Sequence, residues 1–265
     1  MMDVKITSLQ AENADFVVAA VTGYIAERLG ASAEFIVDLP WQERESLLDV
    51  GQIQVGWMCG LTYVRKVDRP NPAIELLAAP VMQGARYGGR PVYFSDVLVR
   101  ADSRFSTFGD LRGTIWAYNE PGSHSGYNVV RHHLAVLGEP SGYFGRVIES
   151  GAHQVSLQMI LDGSIDASAI DSTVLEEEFR RDLSLRSRLR IVDSLGPSPI
   201  PPWIVQRSLP RDLRGTLREI LLTMHQDPRG RAILAQGHMT RFAHVEDSDY
   251  NAIRHMARMA ESVRL

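Results

Sequence analysis

The chain has a single cysteine, Cys59, in 265 residues. An intrachain disulfide is therefore impossible, and a thiolate metal cluster is excluded. Lysine is almost as scarce: Lys5 and Lys66 are the only two, and every other basic side chain apart from histidine is arginine. The formal net charge is −4, so no bulk basic field draws nucleic acid, and none is expected as a partner. Any anion must be captured by local donors. No apolar run approaches the roughly 20 residues that cross a bilayer, so no membrane insertion is expected. The start, Met1-Met2-Asp3-Val4-Lys5, enters a strand-like run at once. It lacks the charged and apolar regions of a secretory signal. Two addresses stay open: periplasmic if a signal peptide was removed, cytoplasmic if the sequence is native as written.

What is present is a regular alternation. Residues 4–9 read as a strand, and residues 14–29 as a helix with Val17, Val21, Tyr24 and Ile25 on one face, ended by Gly30. Residues 34–39, 53–58 and 74–81 read as strands. Residues 41–50 form a helix stopped by Gly51, and Cys59-Gly60 opens another. A long β run, 92–100, leads through the short turn 107–113 into a second series. This consists of strand 114–118, helix 124–137, strand 146–149, helix 153–161 closed by Gly163, and strands 166–170 and 189–192 with a helix between them. Residues 196–202, Gly-Pro-Ser-Pro-Ile-Pro-Pro, make the sharpest break, because proline is excluded from helix interiors and central strands. A strand at 203–206 and two helices follow, one carrying Leu217, Ile220 and Leu221, the other Ile253, Met256 and Ala260.

This order predicts an α/β fold with mainly parallel sheets covered on both faces. The expected division is into two lobes, residues 1–93 with 200–265 and residues 94–199. Crossover strands are expected near Tyr93 and Trp203, and a central cleft at the carboxyl ends of strands.

Three segments carry chemistry. Tyr118-Asn119-Glu120-Pro121-Gly122-Ser123-His124-Ser125-Gly126-Tyr127 runs from a strand end through a Gly/Ser loop into a helix start. Amides of the first helical turn, the helix dipole and the hydroxyls of Ser123 and Ser125 make a socket for an oxyanion. The blander reading is that Ser123 only caps the helix. The loop is no P-loop, since Gly-Lys-Ser/Thr is missing. It is no nucleophile elbow either, since His124 stands where serine is required. Gly151-Ala152-His153 places an imidazole at the next strand-to-helix junction, and Asp171 ends an apolar strand, where it either accepts a ligand donor or caps the following helix. His132 and His133 are adjacent on a helix and point apart, which is poor metal spacing. No metal or cofactor is expected.

Taken in order, these pieces resemble the phosphate/phosphite/phosphonate-binding proteins of ABC importers, which have the type II periplasmic-binding-protein fold. Gln54-Val55-Gly56-Trp57, Val92-Tyr93-Phe94-Ser95, Asp110-Leu111-Arg112-Gly113, Ser123-His124-Ser125-Gly126-Tyr127, Gly151-Ala152-His153, Gly163-Ser164-Ile165-Asp166-Ala167 and Ser198-Pro199-Ile200-Pro201 carry the likeness. The resemblance implies a solute-binding protein, not an enzyme, for import or sensing, with a small oxyanion as ligand and an ABC permease as partner. It implies ligand contacts from Tyr93, Ser123, His124, Ser125, Gly126 and His153, with Asp171 and the Met58 position added. The chain departs from the pattern at Met58, where a tyrosine is common, and at His124, where a threonine is common. The alternative is a cytoplasmic enzyme on the same fold, using His124, His153 and Asp171 as acid/base groups. A third reading, a regulator's effector domain, lacks a helix-turn-helix to support it.

Overall fold

The computed structural model describes residues 3–265. Met1 and Met2, with which the N-terminal reading begins, lie outside the described residues. In chain order the elements are β1 (Val4–Ser8), α1 (Asp15–Leu29), β2 (Ala33–Ile36), α2 (Trp41–Asp49), β3 (Val55–Trp57), α3 (Gly60–Val67), β4 (Ile74–Met82), β5 (Val92–Arg100) and β6 (Ile115–Tyr118). A π-helical turn, His124–Asn128, opens α4 (Val129–Val136). Then come β7 (Arg146–Glu149), α5 (His153–Asp162), β8 (Ala167–Asp171), α6 (Ser172–Arg181), α7 (Leu185–Arg188) and β9 (Leu189–Pro199). The chain closes with β10 (Trp203–Gln206), α8 (Arg211–Thr223), α9 (Pro228–Gln236), β11 (Met239–Ala243) and α10 (Asn251–Met259).

The chain divides into two units, Met1–Val92 with Pro199–Asn251, and Tyr93–Ser198 with Ala252–Leu265. Unit 1 is built on a six-stranded sheet in the order β11-β4-β10-β3-β1-β2. β1 runs parallel to both β2 and β3, whereas β10 is inserted antiparallel between β3 and β4, and β11 is antiparallel to β4. The sheet is thus mixed rather than mainly parallel. The unit 1 core includes Ile6, Ile25, Leu48 and Ile204, all fully buried. Trp203 stacks on Trp57 at 6.1 Å between centroids and meets Phe242 edge-on.

Unit 2 has a five-stranded sheet, β7-β6-β8-β5-β9. β6 is parallel to β7 and β8, and β5 is antiparallel to β8. Its core centres on Trp116, stacked on Phe144 at 4.5 Å, with Phe108, Leu134 and Val263 around it.

Three expectations need correction. First, residues 252–265 belong to unit 2, not to the first lobe. Val263 is buried in the unit 2 core, the Arg131 guanidinium donates to the carbonyls of Ala260, Glu261 and Val263, and the Arg264 amide donates to Pro140 O. Second, the Gly196–Pro199 stretch does not end strand structure, because β9 runs through Pro197 to Pro199. β9 lies at the sheet edge, where a missing N–H costs no ladder bond. Third, α9 and β11 were not foreseen. The signal was present in Asp227-Pro228: Asp227 caps α9 by accepting from the amides of Arg229 and Gly230, with proline in its favoured place at the helix start.

Candidate functional site

The loop between β6 and α4 belongs to unit 2. β6 ends at Tyr118, and the chain turns through Pro121-Gly122 into the π-helical turn. Ser123 takes the N-cap position with extended backbone, and its Oγ accepts from the Gly126 amide at 3.0 Å. Ser123 therefore caps the helix through one lone pair of its Oγ, and the hydroxyl proton stays on the donor side. The Ser125 hydroxyl lies 3.4 Å from that of Ser123 and 3.0 Å from His153 Nε2. His153 is the first residue of α5, so two helix starts converge on Ser125.

Gly126 is held by its surroundings. A Cβ there would stand 2.0 Å from Asn119 Oδ1 and 3.2 Å from His153 Cε1. Asn119 Oδ1 and His153 Nδ1 are both buried without a hydrogen-bond partner. Unpaired buried polar atoms are uncommon and mark places where a ligand or water completes the bonding.

The two imidazoles differ in role. His124 is fully buried. Asn128 Nδ2 donates to its Nδ1 at 3.1 Å, which puts the ring proton on Nε2, 3.0 Å from Ser198 Oγ on β9. Burial drives its pKa down to about 3, with His132 adding to the effect. His124 is thus a neutral strut between the loop and β9. Asn128 and Ser198 are not apparent as its partners from the sequence: Ser198 stands there only within the motif 198–201, and only the folded chain brings it to residue 124. Burial also lowers His153 to about 4. It is neutral as well, but one nitrogen touches Ser125 and the other is unoccupied.

Tyr93 is buried, with its ring centroid 6.4 Å from that of His124. Asp171 stands 5% exposed at the carboxyl end of β8, where its Oδ1 accepts from the amide and the hydroxyl of Thr173 at 2.8 and 2.7 Å. The capping reading accounts for this atom. Burial raises the Asp171 pKa to about 6 against the lowering effect of the Thr173 bonds, and Asp96 raises it further. These positions do not suit the acid/base alternative. His124 has both nitrogens engaged by the protein, and Asp171 is tied to its own helix.

Met58 belongs to unit 1. Its side chain is fully buried and its amide donates to Pro202 O at 3.1 Å. At the carboxyl end of β1, also in unit 1, lies a polar cluster that the sequence reading missed. Arg44 on α2 is 5% exposed and donates from Nη1 to Ser8 O at 2.7 Å. Burial lowers its pKa, opposed by Asp15 and Glu12, while burial raises Asp15 to about 6 against the pull of Arg44. Arg44 Nε, Asp15 Oδ1 and Gln10 Nε2 are buried without hydrogen-bond partners.

Among the described residues no helix is long and apolar enough to cross a membrane. Three solved structures share the fold over 98% of this chain. The binding protein component of an ABC phosphonate transporter from Pseudomonas aeruginosa is 15% identical, with 86% of its own chain covered and a TM-score of 0.84. PhnD1 from Prochlorococcus marinus, in complex with methylphosphonate, is 16% identical, with 99% covered and a TM-score of 0.82. A Xanthomonas citri protein bound to ATP is 17% identical, with 98% covered and a TM-score of 0.75. Residues 8–250 match the family described as ABC transporter, phosphonate, periplasmic substrate-binding protein. With that match spanning most of its length, the chain belongs to the substrate-binding proteins of phosphonate ABC transporters, a family of binding components rather than enzymes.

Proposed function

We propose that the chain captures a small phosphonate- or phosphate-type oxyanion on the loop Ser123–Gly126 and presents it to an ABC permease. The observation that carries this reading is the Ser123–Ser125–His153 chain. It sets two hydroxyls, whose protons can turn to an anion oxygen, beside a neutral imidazole at a helix start. No formal cation is needed. A helix N-terminus and oriented hydroxyls hold an anion through charge-assisted bonds, each worth about 1.5–3 kcal/mol.

The division of labour follows from the bonding. Ser125 is the ligand donor that His153 orients: when His153 Nε2 carries the ring proton and gives it to Ser125 Oγ, the Ser125 proton is free for an anion oxygen. Gly126 leaves the backbone bare so the ligand approaches closely. Tyr93 closes one side. His124 sets the loop's position from behind.

Calorimetric titration with methylphosphonate and with inorganic phosphate tests this. Ser125→Ala is expected to weaken the bound anion roughly ten- to a hundredfold, at 1.4 kcal/mol per decade. Unchanged affinity in a folded Ser125→Ala protein would put the anion elsewhere.

A further inference from the structure

His132 and His133 are adjacent on α4 and diverge, as two successive helical residues must. His133 packs edge-on against Phe108, with centroids 4.4 Å apart. His132 turns the other way and meets a partner 123 positions later: the His255 ring of α10, at a centroid distance of 6.4 Å and an interplanar angle of 65°. His132 is half-buried and His255 is exposed. Both lie in unit 2. The backbone around them is pinned, since Arg131 holds the carbonyls at 260, 261 and 263 and Val263 is buried in the core.

We propose that His132 and His255 form a two-histidine site for a borderline divalent metal ion, Zn²⁺, Ni²⁺ or Cu²⁺, clipping the C-terminal helix to α4. Imidazole nitrogen suits these ions, whereas Mg²⁺ and Ca²⁺ require oxygen. A metal about 2.0–2.1 Å from a ring nitrogen lies roughly 3.2 Å from that ring's centroid. The 6.4 Å between the His132 and His255 centroids equals the spacing of two imidazoles bound to one ion from opposite sides, as in a tetragonal Cu²⁺ site, and a movement of the exposed His255 by about 1 Å gives tetrahedral spacing. No group of three or more potential ligand side chains occurs among the described residues, so water fills the remaining positions.

The test uses the whole protein, stripped with EDTA and dialysed, then titrated with NiCl₂ and separately with ZnCl₂ by calorimetry, with thermal melts alongside. One ion per chain is expected at roughly micromolar affinity. His132→Ala or His255→Ala should each weaken it by about tenfold or more, and the metal should raise the melting temperature of the parent but not of either variant. His225→Ala, His238→Ala and His244→Ala, all in unit 1, should change nothing. Undiminished binding in the double His132→Ala/His255→Ala variant overturns the site, as does a parent that binds neither ion below millimolar concentration.

Discussion

The two units place polar groups at comparable ends of their strands but solve the electrostatics in opposite ways. In unit 2 the loop at 123–126 is wired almost wholly by neutral groups: two serines, an asparagine and two histidines that burial keeps uncharged. In unit 1 the carboxyl end of β1 holds a buried arginine facing an aspartate whose ionisation is suppressed, with three atoms unpaired. Neutral dipoles can be fixed in advance at little desolvation cost, and they accept an anion without a competing internal ion pair. A buried charge pair is strongly perturbed and depends on its geometry. The lesson is that a buried polar cluster can be wired without formal charge.

The largest effect expected from breaking the neutral arrangement comes from Gly126→Val. The first added carbon meets Asn119 Oδ1 at 2.0 Å and His153 Cε1 at 3.2 Å, so Asn119 must move and the side chain crowds His153, and calorimetric binding of methylphosphonate should be abolished. Retained affinity would detach the ligand from this loop.

Next comes the charged counterpart. Arg44→Met removes a charge-assisted bond to Ser8 O and should cost about 1.5–3 kcal/mol of stability, read as a lowered urea midpoint. An unchanged midpoint would show that the unit 1 cluster is merely tolerated.

Acid sharpens the contrast. His124 and His153 titrate lower in the fold, at about 3 and about 4, than the ordinary 6.5. Below pH 6.5 the unfolded chain takes protons that the folded one refuses, so stability is full above 6.5 and falls with acid. The slope is about 1.4 kcal/mol per pH unit for each fully excluded histidine. Asp171 and Asp15, raised to about 6, act in the opposite sense: their ionisation penalty is full above 6 and disappears as pH falls towards 3.8. Urea titrations at pH 7 and pH 5 should show the parent losing more stability than His153→Gln. Parallel losses would mean that His153 is protonated in the fold.

The smallest expected effect is Asp171→Asn. Asparagine caps a helix as well as aspartate does, and it carries no buried charge. Stability at pH 8 should rise, and the gain should vanish near pH 4, where both states hold the proton. A large loss at pH 8 would show that the carboxylate is needed in its ionised form.

Much of this was legible in the residues themselves. Period-2 and helical stripes gave the strands and most helices, and Gly126 between Ser125 and Tyr127 marked the loop because a strand end, a Gly/Ser turn and a helix start are all local features. β11 and α9 have one local signal, the Asp227-Pro228 helix start, and no stripe long enough to stand out. β9 runs further than its prolines suggest because only the assembled sheet makes it an edge. The family order of the motifs carried the rest, and it could carry only what adjacent residues encode.

By itself, then, the sequence determined the alternating α/β order, the strand-to-helix junction at 118–126, the absence of a disulfide and the absence of a basic field. All of these depend on neighbours within a few residues or on composition. The tertiary structure alone decided that Ser198 and Asn128 fix His124 in a neutral state, that His153 bonds Ser125, that Arg44 lies buried over Ser8, and that residues 252–265 pack on unit 2 with His255 beside His132. Each of these joins helices or strands distant in the chain, or needs burial to set a charge, and long-range packing and desolvation exist only once the chain is folded.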